Sequence, residues 1–143
     1  MAQSVSEFMG KDHDRLDGLY QSFKIIKQED LKKAQAVFVE FRSGLERHIG
    51  WEEEILFPSF EGRTGMFEAG PTVVMRYEHK QIKDYLKQIQ DQIDKENNQT
   101  EDLEKSLMNV LTTHNYKEEA ILYPWIDTSL SAADCQQMLA KMK

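Results

Sequence analysis

The chain repeats part of its own sequence at an offset of 66 residues, and this repeat limits the possible fold more than any other feature. Its four histidines form two pairs at that offset, His13 with His79 and His48 with His114. Other residue types follow the same offset, and the matched pairs include Glu52 and Glu118, Glu53 and Glu119, Leu45 and Leu111, Leu56 and Leu122, Phe57 and Tyr123, and Pro58 and Pro124. Such a period predicts an internal duplication, with repeat halves of approximately 4–62 and 70–128.

Four long segments carry apolar residues at three- and four-residue spacing, which is typical of amphipathic helices. These segments cover roughly residues 4–27, 30–57, 71–96 and 100–124. Pro58 and Pro124 are expected to end the second and fourth helices, because proline lacks the N–H group that a continuing helix needs. A short fifth helix is expected after Ser131, with Met138 and Leu139 packed back on the other helices.

The segments between these helices carry recognisable start and stop signals. A connector containing Gly62, Gly65 and Gly70 leads to Pro71, which suits the first turn of the third helix. Thr100 is expected to cap the fourth helix. A chain of 143 residues forms one domain, here 1–143, and short loops between helices favour an all-α, antiparallel up-down four-helix bundle with a short C-terminal fifth helix.

The histidines and two glutamates continue the apolar stripes of the helices. Residues four apart lie on one helical face, so His48 lies beside Glu52 and His114 beside Glu118. The other two histidines lie on stripes of their own, one between Met9 and Leu16 and the other between Met75 and Ile82. We therefore predict that all six side chains point into the core, the six being His13, His48, Glu52, His79, His114 and Glu118.

Buried carboxylates and imidazoles favour a metal site, because an unpaired buried charge strongly destabilises a core and a cation compensates it. Any one of these histidines alone would be more typical of a hydrogen-bonded core residue. The repeated spacing of all four indicates a pair of metal ions instead. Imidazole and carboxylate ligands with open coordination positions favour non-haem iron, with manganese or zinc possible. Glu53 and Glu119 lie off the stripes and are expected to be solvated or to contact ligands rather than bind metal.

Several other classes of protein are excluded by composition. The net charge of -7 and the absence of a basic stripe argue against nucleic acid as a partner. The single cysteine, Cys135, rules out an internal disulfide and a C-x-x-C site. The sequence contains neither the Glu-x-x-His motif of ferritin-type sites nor the His-Glu-x-x-His motif of zinc proteases. Without a recognisable secretion signal or membrane span, a cytoplasmic protein that does not bind membranes is expected.

The segments KDHDRL, LERHIGWEEEILFP, YEHKQI and LTTHNYKEEAILYP resemble the hemerythrin-like (HHE cation-binding) family over nearly the whole chain. The resemblance implies an antiparallel four-helix bundle with a non-haem di-iron centre. His13 and His48 would then serve one iron and His79 and His114 the other, while Glu52 and Glu118 would bridge the two ions. Oxygen-carrying members have a further histidine at the position of Met75, and its repeat counterpart here is Met9. Because a thioether is a poor ligand for ferric iron, the two ions are expected to be nearly equivalent.

A di-iron protein that binds, senses or handles oxygen, nitric oxide or iron is the function that the resemblance favours. In air its two iron ions would form an oxo- or hydroxo-bridged diferric pair. The alternatives are a di-iron enzyme, which would reduce peroxide or oxygen or repair iron-sulfur clusters, and a structural zinc site. Open coordination positions favour the binding protein and the enzyme over the structural zinc site, because structural zinc sites are usually closed. A small diatomic ligand or peroxide is therefore the expected partner.

Overall fold

A computed structural model describes residues 3–142, and all the regular structure within that range is helical. The elements are α1 (Val5–Lys27), α2 (Leu31–Trp51), α3 (Phe57–Thr64), α4 (Pro71–Asp94), α5 (Glu101–Lys117), α6 (Tyr123–Ser129) and α7 (Ala132–Lys141). Two π-helical turns, Glu52–Leu56 and Glu118–Leu122, join α2 to α3 and α5 to α6 without a break. The prediction of an all-helical chain is confirmed.

The second and fourth predicted helices do not end at their prolines, as the sequence analysis expected. They continue past Pro58 to Thr64 and past Pro124 to Ser129. In the π turn before each proline, a backbone N–H donates to the carbonyl five residues back, at Glu52 in one turn and Glu118 in the other. The hydrogen-bond register thus changes just before the proline. Each proline then lies in the first turn of a new α-helical segment, where its missing N–H removes no helical bond.

The connector after α3 is shorter than the glycine pattern predicted, because Gly62 lies within α3. Gly65 ends that helix with φ 78° and Gly70 precedes α4 with φ 95°, so both adopt backbone conformations that side chains disfavour. Pro71 is the first residue of α4, as expected. The three features thus mark the end of α3 and the start of the third long helix.

Thr100 is the N-cap residue of α5 as predicted, but its side chain does not form the capping hydrogen bond. Its hydroxyl instead donates a hydrogen bond of 2.6 Å to the Glu104 carboxylate, which also accepts from Lys27 and from Tyr20. Lys27 and Glu104 are both buried, so this ion pair ties the end of α1 to the start of α5. The hydroxyl therefore satisfies a buried carboxylate rather than a free N–H group of the helix.

Two apolar clusters fill the interior at different levels of the helices. The first contains residues of α1, α2, α4 and α5, among them Tyr20, Phe23, Phe38, Phe41, Leu86 and Leu107. The second surrounds α3, α6 and α7 and includes Met9, Phe57, Phe60, Met75, Cys135 and Met138. The predicted fifth helix is thus present and packs on the other helices. Along each long helix, the buried histidines and glutamates lie between these two clusters.

The long helices pack side by side around this interior. α1 lies against α2, α4 against α5, and α2 also contacts α4. Within residues 3–142 we find no helix with an apolar stretch long enough to cross a bilayer.

Replacing Phe38 by Ala tests the first cluster. Phe38 is fully buried, with ring centroids 5.0 Å from Phe23 and 5.9 Å from Phe41. We expect Phe38→Ala to lower the free energy of unfolding by about 3–5 kcal/mol through lost contacts and a cavity. The control is Val39→Ala, at a neighbouring side chain that is 46% exposed, with an expected change below about 0.5 kcal/mol. Urea denaturation measures both, and equal losses would contradict the proposed core.

Candidate metal centre

All six side chains that the sequence analysis selected are buried and lie together at the middle of the bundle. Each histidine comes from a different helix, and the glutamates are the first residues of the two π turns. The exposed fractions are 5% for His13, 1% for His48, 0% for Glu52, 0% for His79, 2% for His114 and 0% for Glu118. Their proximity is a structural fact, and their binding of metal remains a prediction.

The six residues form two groups. The rings of His13 and His48 have centroids 4.5 Å apart, and those of His79 and His114 have centroids 4.9 Å apart. In each group, potential ligand atoms lie within 4.8 Å of one another. One group combines the second histidine pair with both glutamates, and the other combines the first pair with Glu118. This grouping of the histidines is the one that the family resemblance implies.

Each buried carboxylate turns one oxygen toward each histidine pair. Glu52 Oε1 is 3.0 Å from His79 Nε2, and Glu52 Oε2 is 3.9 Å from His48 Nε2. Glu118 has the same arrangement: its Oε1 atom is 3.3 Å from His13 Nε2, and its Oε2 atom is 3.3 Å from His114 Nε2. A carboxylate placed in this way can contribute one oxygen to each of two neighbouring cations.

A second ring of carboxylates orients the histidines. Every Nδ1 atom forms a hydrogen bond with a carboxylate, the pairs being His13 with Glu119 at 3.0 Å, His48 with Asp12 at 2.8 Å, His79 with Glu53 at 2.7 Å, and His114 with Glu78 at 2.9 Å. With Nδ1 occupied, the Nε2 atom of each ring points to the centre. Metal-binding histidines characteristically have such an outer partner, which fixes the ring and raises the basicity of the other nitrogen.

Two of these outer carboxylates were anticipated and two were not. Glu53 and Glu119 contact the histidines, as expected of carboxylates near a ligand set. Helical periodicity does not identify Asp12 and Glu78, although they precede His13 and its repeat counterpart at the same offset of 66. Each of the two contacts a histidine of the following long helix, which periodicity along one helix does not reveal.

Tyr123 is a further member of the site that helical periodicity did not identify. Five residues along an α-helix rotate the chain by about 500°, which would place residue 123 about 140° away from Glu118. The π turn adds a residue to this turn and brings Tyr123 back over the same face. Its hydroxyl lies 2.7 Å from Glu52 Oε2 and 2.9 Å from Glu118 Oε1. Burial, followed by the charges of these two carboxylates, raises the pKa of Tyr123.

The counterpart of Tyr123 at the offset of 66 is Phe57, which lacks a polar atom. Its ring stacks on His79, with centroids 5.7 Å apart and an angle of 6° between the planes. Met9 and Met75 are buried in the second apolar cluster, consistent with core filling. The two halves of the site therefore differ at the pair formed by Phe57 and Tyr123, where only one member has a polar atom.

The donor atoms suit a cation. Glu118 Oε2 is the one buried side-chain oxygen or nitrogen in residues 3–142 without a hydrogen-bond partner. Burial raises the pKa of Glu52, and the neighbouring charge of Glu118 raises it further. Burial acts in the same direction on Glu118, but the charge of His114 and hydrogen bonds from neighbouring side chains outweigh it and hold the pKa of Glu118 well below its usual range. Glu52 therefore resists ionisation both because it is buried and because its neighbour is charged. A cation between them would relieve both effects. Nitrogen and oxygen donors without a thiolate fit iron, manganese or zinc.

Comparison with known families agrees with this chemistry. The family model for the hemerythrin HHE cation binding domain matches residues 4–126, which include all six clustered side chains. The chain belongs to the hemerythrin family. Neither the curated proteins nor the solved structures provided a match. Cation binding by the buried histidines and glutamates of this hemerythrin domain is therefore supported from two directions.

A cavity of about 510 Å³ reaches the hemerythrin site from one side. Its walls include His13 and Glu119, together with Leu16, Phe41, Leu45, Leu111 and Asn115. The cavity is large enough for a small molecule and lies against one histidine of the cluster. The cavity thus reaches the edge of the candidate metal centre at His13.

Replacing Glu53 by Ala tests the outer carboxylates of the hemerythrin site. His79 would lose the partner of its Nδ1 atom, so we expect metal affinity to fall about 10- to 100-fold. The matched control is Glu54→Ala, which removes the adjacent exposed carboxylate and should leave the affinity unchanged. Competition with a chelator measures both variants. Equal affinities for the two would show that the outer carboxylate has no role in metal binding.

The stability of the metal-free protein should depend on the protonation of His13 and His79. Burial lowers the pKa of both imidazoles, but hydrogen bonds and charges from neighbouring glutamates outweigh it and raise each pKa from 6.5 to about 9. A pKa raised by folding contributes stability that is complete below pH 6.5 and is lost as the pH rises through about 9. We expect the melting temperature of the metal-free protein to fall over that interval.

The metal-loaded protein is the control for this pH dependence. Its ligating imidazoles carry no extra proton, so the same fall should be absent. Differential scanning calorimetry at a series of pH values would compare the two forms. Parallel curves for both would contradict the assignment of the raised pKa values to the site.

Proposed function

We propose that this protein binds two iron ions and uses them to bind, sense or handle oxygen, nitric oxide or iron itself. The observation that carries the proposal is the convergence of four histidine Nε2 atoms on two fully buried glutamates, with every Nδ1 atom fixed by a carboxylate. His13 and His48 would hold one ion and His79 and His114 the other. Glu52 and Glu118 would bridge them.

Iron is favoured over manganese and zinc for two reasons. The chain belongs to a family of cation-binding domains that commonly bind iron. The donor set contains imidazole and carboxylate without thiolate, and these residues would leave coordination positions free on each ion. Iron bound here would supply those open positions and a redox couple for a diatomic ligand or peroxide. The surrounding residues hold the rings in place and keep the centre largely free of bulk water.

The architecture that best accommodates this site is an antiparallel bundle built from a duplicated helix pair, forming one domain over residues 1–143. Contacts at the offset of 66 support the proposal. The hydrogen bond between His13 and Glu119 has its counterpart between His79 and Glu53. The two π turns also begin at residues 66 apart. A two-fold arrangement of the halves would place equivalent ligands around equivalent ions.

Access to the centre supports binding of a small exogenous molecule. The cavity extends to His13 at the edge of the ligand cluster, whereas a structural metal site is usually closed by its own ligands. Its walls combine apolar side chains with the carboxylates of Asp14, Asp17 and Glu119, so a neutral or cationic small molecule suits it better than an anion. Within the described helices, the apolar clusters above and below the site limit other routes of entry.

Anaerobic reconstitution tests this proposal. Metal-free protein mixed with ferrous iron should retain about two ions per chain after desalting. Addition of nitric oxide should then produce the electron paramagnetic resonance or absorption signature of an iron nitrosyl. His114→Ala should lose iron from one half of the site, while Thr113→Ala, at the exposed neighbouring residue, should retain the full amount.

Three results would contradict parts of the proposal separately. A stoichiometry near one ion per chain would reject the paired site. Zinc that iron cannot displace would reject iron as the functional metal. Full iron loading without any response to nitric oxide or oxygen would reject the handling of diatomic ligands and leave the metal site itself intact.

A further inference from the structure

The side chain of Tyr123 is completely buried and reaches the centre of one half of the candidate site. Besides its short contacts with the two glutamates, its hydroxyl lies 3.1 Å from His48 Nε2 and 3.4 Å from His13 Nε2. The four atoms around the hydroxyl are thus the donors assigned to the ion of the first histidine pair. No other tyrosine in residues 3–142 forms a hydrogen bond with any of the six clustered residues.

These distances are those expected between neighbouring ligands of one ion. Donor atoms about 2.0–2.2 Å from a common metal and at right angles to one another are about 3 Å apart. The hydroxyl lies 2.7–3.4 Å from all four neighbouring donors. A neutral phenol donates one hydrogen bond and accepts at most two, so four such contacts exceed by one the hydrogen bonds that the hydroxyl can form.

We propose that the Tyr123 oxygen is a seventh protein ligand, which binds the ion held by His13 and His48. This inference rests on the proposed di-iron function. The O–H bond breaks as the oxygen lone pair bonds to the ion, the proton passes to solvent, and no electron is transferred. Phenolate is a suitable ligand for ferric iron, as it is for the haem iron of catalase.

Tyrosine ligation makes the two ions unequal. With Glu52 and Glu118 bridging as proposed, the first ion would have five protein donors, from two histidines, two glutamates and Tyr123. The second has four, because Phe57 occupies the equivalent position and stacks on His79 without offering a donor. The nearly equivalent pair expected from the repeat is thereby replaced by one more saturated ion and one more open ion.

The test is resonance Raman and visible absorption spectroscopy of the full-length, iron-loaded and air-oxidised protein. Ferric phenolate gives a visible charge-transfer band and enhanced tyrosine ring vibrations. We expect both in the wild-type protein and neither in Tyr123→Phe, which should still bind about two ions per chain through the six other ligands. Tyr20→Phe is the matched control, because Tyr20 is also buried but bonds to Glu104 outside the site, and both signals should persist.

A position exchange strengthens the test. In the double variant Phe57→Tyr with Tyr123→Phe the phenol moves to the second half of the site, and the charge-transfer band should return. Ring-deuterated tyrosine in the wild-type protein provides a readout without any substitution, since the enhanced vibrations should shift to lower frequency. This measurement keeps the inference testable if Tyr123→Phe does not fold.

The outcomes separate this inference from the function on which it rests. Two bound ferric ions without tyrosine vibrations in the wild-type protein, or an unchanged band in Tyr123→Phe, would overturn tyrosine ligation alone. Failure of the wild-type protein to bind iron would overturn the proposed function instead. Loss of the band in Tyr123→Phe, with iron content and the Tyr20→Phe spectrum unchanged, would support the seventh ligand.

Discussion

The carboxylates of Glu52 and Glu118 are completely buried at the centre of the bundle. Most of the other polar groups in the interior compensate the free-energy cost of burying these two charges. A buried ionised carboxylate without a partner is strongly unfavourable. Four imidazoles and one phenol surround the pair within hydrogen-bond distance or slightly beyond it. Outside them, further carboxylates fix the imidazole rings. Polar groups are thus arranged in concentric layers, and each layer compensates the one inside it.

Apolar packing and the polar centre contribute differently to the stability of the fold. The two apolar clusters, on either side of the histidines, supply the burial that holds the helices together. The centre between them contributes less to stability than a packed apolar layer would, because buried ionic groups seldom repay their full desolvation. A buried polar centre of this kind is therefore better explained by a function than by a contribution to stability. The missing hydrogen-bond partner of Glu118 Oε2 fits that view.

Helical periodicity in the sequence was sufficient to select the six clustered side chains, because each lies on an apolar stripe with a regular spacing of three or four. The same reasoning failed where the backbone departs from the α-helix. The π turns allow the chain to continue past Pro58 and Pro124, and one of them returns Tyr123 to the face of the site. Contacts between helices, such as that of Asp12 with His48, could not be predicted from the sequence either, because they depend on how the helices pack against each other.

Hydrogen bonds to the outer carboxylates join the two repeat halves of the chain. They should therefore affect the rate at which a bound ion dissociates. His13 on α1 is oriented by Glu119, in the turn after α5, while His79 on α4 is oriented by Glu53, in the turn after α2. Neither helix pair therefore completes its own ligand geometry. If the clustered residues are the ligands, as proposed, fraying of one helix end would not free an ion, because the ligands of each ion would come from helices in both parts of the chain. Dissociation instead requires a larger opening of the bundle, so the residence time of the metal should follow the rate of that opening rather than the strength of any single ligand bond.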